Sequence, residues 1–280
     1  MRAPHPVKAR PVTLRPVTLR RVLNSPPVAV GLYLAIVIGI AWAAYDGAAQ
    51  LGYNWQWYQI PKYFGAFTED GFQAGEILTG LRATIALSAT SFALATLLGF
   101  GVALLRLSGL IVGKAVAVGY LEFVRNIPLL VLLYLFYYVL GPLFGFDRWS
   151  AAVLTLGVFH SALISEIFRA GINSVATGQW EAAASIGMTR AQAYRYIIVP
   201  QSVRFMAPPL TGEAVHLIKS SAIVSVIAVA ELTTIGRNII SDTYMSFEVW
   251  FTVAAVYLVL TLILSFGVTL VERRFPADPS

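Results

Sequence analysis

The chain has 280 residues, 58% of them hydrophobic and only 12% charged, against about a quarter charged in an ordinary soluble domain. With a mean hydropathy of +0.72, this composition points to a protein embedded in a membrane. The absence of cysteine excludes disulfides, thiolate metal sites, iron–sulfur clusters and cysteine nucleophiles.

The net charge is +6, and six of the 20 basic residues (Arg2, Lys8, Arg10, Arg15, Arg20 and Arg21) precede the first apolar run. No aromatic residues interleave them, so they read as a cytoplasmic tail beside anionic lipid rather than a nucleic-acid arm. The tandem PVTLR at 11–20 reads as extended chain, because proline blocks helix continuation.

Apolar runs long enough to span a bilayer follow in order, each needing about 20 residues. The first lies near 28–48. It is read as a retained helix rather than a cleaved signal, because Tyr45, Asp46, Tyr53, Trp55 and Trp57 form an interfacial belt after it. A wet segment, 50–75, carries Lys62, Glu69 and Asp70. The second span lies near 78–105 and ends at Arg106. The third, 112–141, is interrupted by Arg125-Asn126-Ile127-Pro128. The fourth lies near 150–173, the fifth near 208–230 and the sixth near 248–271. The fold class is an all-α integral membrane protein of about six spans.

Basic residues concentrate in alternate loops: the N-terminal tail, Arg106 and Lys114, then Arg190, Arg195 and Arg204, then Arg273 and Arg274. The opposite loops carry Asp46, Glu69, Asp70, Asp147, Asp242 and Glu248. This bias places both termini and the 178–200 loop in the cytoplasm.

That loop, QWEAAASIGMTRAQAYRYIIVP, is unlike its oily flanks. Gln179–Ile186 is rich in helix formers, Gly187 suits a left-handed stop, and Thr189 with Gln192 spells a capping box. Tyr194, Ile197 and Ile198 supply an apolar face, and Pro200 is expected to end the helix. On these features alone the loop reads either as a rigid helix pair that meets another surface or as an amphipathic segment resting on lipid.

Glu181-Ala182-Ala183, Gly187, Ile197 and Val199-Pro200 resemble the EAA loop of ATP-binding-cassette importer permeases, with Val199 where the pattern has leucine. FVRNIPLLVLLYLFYY (123–138), SEIFRAGINSVATGQWEAA (165–183) and LIKSSAIVSVIAVAELT (217–233) resemble the polar amino-acid branch of these permeases. The resemblance implies a type I importer transmembrane domain whose EAA coupling-helix pair docks on a cytosolic ATPase dimer. It also implies a second permease subunit (this chain again or a sibling), a periplasmic amino-acid-binding protein, and the bacterial inner membrane as location. The chain then divides into a basic tail (1–27), an added span and periplasmic segment (28–75), a permease core (76–272) and a tail (273–280). Glu181, Ala182, Ala183, Gly187 and Pro200 become the ATPase-coupling residues. No cofactor is expected on this chain, and ATP and magnesium belong to the partner. GLIVGK (109–114) falls one residue short of a phosphate loop and has Ala115 where serine or threonine is required.

Ionisable residues inside a membrane need partners or a wet path. Glu166 and Arg169 share a helix face. Glu213, His216 and Lys219 follow i, i+3, i+6 spacing, with Ser220 and Ser221 next. Glu122 and Arg125 read as an internal ion pair. By resemblance Glu166 lies near the amino-acid path, where it either accepts a substrate ammonium or serves structure. Lys219 either meets a substrate carboxylate or pairs with Glu213 or Glu166. Ser220, Ser221 and Asn126 complete the candidate path. The substrate class implied is a polar amino acid, with the 123–138 wording and the wet segment resembling glutamate/glutamine-type members.

Two other functions compete. An ion-driven transporter or channel would suit broken helices and intramembrane charge, but it predicts an inverted repeat that the halves do not show. An intramembrane enzyme would need a nucleophile elbow or metal-binding histidine pair of known type, and the chain has neither Gly-x-Ser-x-Gly nor His-Glu-x-x-His.

Overall fold

The computed structural model describes residues 26–274 except position 70. The basic tail through 25, its PVTLR repeat and residues 275–280 lie outside the described residues. By its contacts the chain divides into two units, Met1–Trp55 and Gln56–Ser280.

The described part of the first unit is one helix, α1 (Pro26–Gln50), with no buried residue along its 25. This is the expected first span. An all-round apolar helix without a polar face suits lipid rather than a water-facing surface.

The second unit opens with a short turn (Trp57–Gln59) and α2 (Ile60–Phe64). A two-stranded antiparallel hairpin follows, β1 (Gly65–Thr68) with β2 (Gly71–Ala74), Gly65 facing Ala74. No strand was expected here. Gly65, at φ +155, meets the Phe72 ring and the Gln73 carbonyl where a Cβ would sit, so the chain turns into the hairpin only with glycine at that point.

The long helix α3 (Glu76–Leu107) buries Gly80, Thr84, Leu87, Ser88, Ser91, Ala95, Gly99 and Ala103. Small residues at three- and four-residue intervals let a second helix approach closely, since in lipid packing must replace the hydrophobic drive. The partner is α6 (Arg148–Asn173), which runs along α3. A Cβ on Gly99 would lie 2.8 Å from Ile164 Cγ2 and 2.9 Å from the Ser161 carbonyl, and one on Gly157 would lie 2.6 Å from Leu94. Asp147 caps α6 by accepting from the Ser150 N–H at 2.9 Å, and hydrogen bonds from the Ser150 hydroxyl and N–H hold its carboxyl below the usual carboxylate range.

Between them, α4 (Ile111–Asn126) and α5 (Leu129–Phe144) meet at 105° and together make one broken span. Ile127 is extended (φ −100, ψ 128) ahead of Pro128, the conformation proline imposes on its predecessor. α5 carries a π-turn at Leu135–Leu140.

After the loop pair described below, α8 runs as one span over Arg190–Ile227. This corrects the reading of Pro200 as a stop and of a fifth span beginning at 208. A π-turn over Tyr194–Ile198 runs directly into the segment Val199–Ser221, and the widened turn carries the helix past Pro200. Pro208 and Pro209 also lie within α8. Then α9 (Leu232–Thr243) and α10 (Ser246–Arg274) complete the unit. Among the described residues five helices are long and apolar enough to cross a membrane, and the bent α4–α5 pair, taken as one span, makes a sixth.

The end of the bundle opposite the loop pair is closed by Ile60, Tyr63, Ile77, Leu232, Ile239, Met245, Val249 and Val253, packed as one cluster. There the buried Glu231 caps α9, accepting from the N–H groups of Thr233 and Thr234 (both 2.8 Å) and the hydroxyl of Tyr257 (2.9 Å). Burial raises its carboxyl above the ordinary range, against the opposing pull of those hydrogen bonds.

Candidate functional site

The loop pair begins with α7 (Thr177–Ser185). It ends in two reciprocal bonds, Gly187 N–H to Ala184 C=O at 3.0 Å and Met188 N–H to Ala183 C=O at 3.1 Å, with Gly187 at φ +78. That pattern satisfies the last carbonyls and requires the left-handed residue that glycine supplies. Two residues on, Thr189 and Gln192 form the capping box: Gln192 N–H donates to Thr189 Oγ1 (3.3 Å) and Thr189 N–H to Gln192 Oε1 (2.8 Å). The helix stop and restart therefore stand as the sequence implied.

The two helices are held together by an edge-to-face pair, Trp180 on Tyr194, at 5.0 Å. Beneath them Ile172, Val175, Ile198 and Met206 form a closed cluster. Ala183 is buried, while Glu181, Ala182, Gly187 and Pro200 are exposed. So are Ile186 and Tyr196, at 71% and 62%. The pair is thus rigid toward the bundle and presents a mixed apolar and charged face outward, with Arg190 and Arg195 on it.

Glu166, about two turns before the end of α6, is held by two arginines. Arg106, at the end of α3, binds its Oε1, and Arg169 binds its Oε2 at 2.8 Å. The carboxylate borders a cleft of about 470 Å³ that Ile167, Gly171, Ser174, Phe205 and Pro209 also line. Glu166 is the charged residue of that lining, so the cleft can take a small ligand with a positively charged group.

Farther along α6, His160 and Ser161 point apart. Ser161 Oγ lies 2.5 Å from the Tyr120 hydroxyl, whereas His160 Nδ1 lies 2.5 Å from Glu213 Oε1 on α8. His216 Nδ1 stands 3.7 Å from the same Glu213 oxygen. His160 Nε2 is buried with no hydrogen-bond partner among the described residues.

The other expected path residues do not converge on Glu166. Lys219 is exposed and makes no ion pair with Glu213 or Glu166; it borders a second cleft with Tyr257 and Thr261. Ser220 and Ser221 spend their hydroxyls on the carbonyls of His216 (3.0 Å) and Ile218 (2.7 Å) of their own helix. Asn126 donates to the Glu122 carboxylate at 3.1 Å and to its carbonyl at 2.7 Å. That corrects the expected Glu122–Arg125 pair, which does not form. One turn back along the helix, Asn126 reaches Glu122 with a shorter side chain and takes the place Arg125 was assigned.

Residues 95–276 match the family described as binding-protein-dependent transport system inner membrane component. The chain belongs to this family. It is a permease subunit of the type I importer fold and not an enzyme, with ATP hydrolysis carried out by a separate subunit. A Bacillus subtilis (strain 168) relative, named Probable glutamine ABC transporter permease protein GlnM, is 39% identical over 199 residues, 70% of this chain and 92% of its own length. The Escherichia coli (strain K12) Glutamine transport system permease protein GlnP is 33% identical over 201 residues, 71% and 92% of the two chains. A crystal structure of an amino acid ABC transporter with histidines superposes with a TM-score of 0.66 at 41% identity, covering 71% of this chain and 94% of that one. These comparisons do not favour the ion-driven transporter. Permeases of this family work with an ATPase and a binding protein.

No sequence signal marked the Arg106–Glu166, His160–Glu213 and Tyr120–Ser161 contacts beyond a polar residue set in an apolar run. Their partners lie 60, 53 and 41 residues apart.

Proposed function

We propose that this permease passes a polar amino acid of the glutamine or glutamate type into the cytoplasm of a bacterium. The relatives named above for glutamine support that class. The carrying observation is the loop pair: two short helices locked at both ends, braced by Trp180 on Tyr194, with Glu181, Ala182 and Ile186 left exposed. Such a rigid projection transmits force, and an ATPase dimer that binds ATP and magnesium grips it through Glu181, Ala182 and Gly187, while the buried Ala183 seats the first helix. Pro200 lies in α8, the helix that receives the thrust. The second permease is this chain again or a sibling, and a periplasmic binding protein delivers substrate to the far end. Both termini face the cytoplasm, as the basic loops indicate. Transport alternates access between the two sides.

The cleft beside Glu166 suits the ammonium end of an amino acid. A substrate ammonium shares Glu166 through charge-assisted hydrogen bonds, while Arg106 and Arg169 hold that carboxylate in place. Lys219 offers a second contact for a carboxylate. Ser220, Ser221 and Asn126 lie on the path without a free hydroxyl or amide to offer while their present bonds hold.

The test is uptake of labelled glutamine, glutamate, histidine and arginine by proteoliposomes holding the permease, its ATPase and its binding protein. ATP-dependent accumulation of glutamine or glutamate supports the reading, and accumulation of histidine or arginine alone overturns its substrate class. Accumulation driven by an ion gradient without ATP would overturn the reading.

A further inference from the structure

Two of the three histidines of the chain, His160 and His216, meet one carboxylate, Glu213, between α6 and α8. Their rings lie edge to face, 5.5 Å between centroids. Both turn Nδ1 toward Glu213 Oε1, at 2.5 and 3.7 Å, and three ligand atoms, one from each residue, lie within 4.8 Å of one another. Glu213 and His216 are spaced i, i+3 on one helix. This Glu-x-x-His arrangement, met by a further ligand from a facing helix, is how helical bundles build metal sites in their interiors.

Charge argues in the same direction. The Glu213 side chain is only 11% exposed, and a carboxylate inside a membrane needs a cation beside it. The nearby guanidinium groups of Arg106 and Arg169 are spent on Glu166, and Lys219 does not reach. The neighbours of Glu213 are the two imidazoles. A proton between His160 and Glu213 serves only that pair and leaves His216 Nδ1 aimed at an oxygen beyond hydrogen-bond range. A metal ion among the three would serve all of them. Nitrogen and oxygen donors at about 2.0–2.2 Å from a tetrahedral ion sit roughly 3.3 Å apart. The observed 2.5 and 3.7 Å straddle that spacing, and the exposed His216 side chain has room to turn.

We infer that His160, Glu213 and His216 form a binding site for a divalent first-row transition metal of the zinc class, which fastens α6 to α8. Two imidazoles and one carboxylate suit zinc, cobalt or nickel and disfavour magnesium and calcium, which take oxygen ligands. Three protein ligands leave the fourth position of a tetrahedral ion open. Because α6 leads into the 177–198 helix pair and α8 carries its second helix, an ion that joins α6 to α8 restrains the pair at its base.

The experiment titrates cobalt(II) chloride into the purified full-length chain, carrying a tag without histidine, and reads the visible d–d absorption together with bound metal per chain. Expected is about one cobalt per chain, an absorption in the range of four- or five-coordinate sites, and displacement by zinc. His216→Ala, at an exposed position, should lower affinity at least about 100-fold, since even loss of a group that merely supports a ligand costs 10–100-fold. Glu213→Gln, which preserves shape, should do the same, while His5→Ala should change nothing. Absence of cobalt binding in the wild-type chain, or binding in His216→Ala and Glu213→Gln as tight as in the wild-type chain, overturns the inference. The result bears only on the metal site, because the readout needs neither substrate nor ATPase.

Discussion

Arg106 and Glu166, 60 residues apart, are ion-paired across the α3–α6 contact, Arg106 on one carboxylate oxygen while Arg169 occupies the other. Glu166 is therefore the meeting point of two helices and the wall of a cleft. Replacing it by glutamine removes the negative charge and leaves two guanidinium groups facing each other. If the cleft takes substrate, Glu166→Gln lowers ATP-driven uptake about tenfold or more, the scale of a lost hydrogen bond to a charged group. The ATPase should still co-purify. Unchanged uptake would assign Glu166 to structure alone.

The α3–α6 approach yields a sharper contrast. A side chain at Gly99 collides with Ile164 and the Ser161 carbonyl, whereas one at Gly101, two residues on, meets nothing within 4 Å. Gly99→Leu should abolish a monodisperse peak in detergent size-exclusion chromatography, and Gly101→Leu should leave it intact. Equal behaviour of the two variants would contradict the packing.

The capping box is testable by itself. Thr189→Ala removes the acceptor for the Gln192 N–H, at about 1 kcal/mol. Amide exchange at 190–193 should speed up several-fold, with exchange in α3 unchanged.

Glu231 gives a pH signature. Its carboxyl is raised above the ordinary 4.5 by burial. The folded chain therefore holds this proton more tightly than the unfolded chain. The resulting stabilisation is fully present below the ordinary value and is lost as pH rises through the raised one. Glu231→Gln removes the titration. The melting temperature of the wild-type chain, relative to that of Glu231→Gln, should be higher at pH 5 than at pH 8. The opposite slope would contradict the burial of an acid there.

Local chemistry was legible and distant partnership was not. Gly187, Thr189 and Gln192 declare a stop and a restart because caps depend on residues within one turn. The apolar runs declare spans because each must cover the bilayer by itself. Pro200 was misread because a π-turn over Tyr194–Ile198 carries the helix past it, and the sequence gives no period for such a turn. Glu122 and Arg125 have the spacing of an ion pair, yet Asn126 takes the carboxylate, since spacing names the neighbours of a residue without ranking them. The hairpin at 65–74 has only four residues in each strand, too short to show a period. In the candidate site, i, i+3 spacing foretold Glu166–Arg169 but not Arg106, which arrives from another helix through the small-residue face of α3.

The central claim is that the 177–198 helix pair is the handle of an ATPase, and Gly187 tests it most directly. Gly187 sits at φ +78 with open space around its Cβ position, so Gly187→Val adds no clash and penalises only the backbone, by about 1–2 kcal/mol. The measurement is co-purification of the ATPase with tagged wild-type and Gly187→Val chains from native membranes in mild detergent, quantified by mass spectrometry. The account predicts an ATPase stoichiometric with the wild-type chain and strongly depleted from the variant, with both chains equally abundant in the membrane. An ATPase retained equally by the variant, or absent from the wild type, would contradict it.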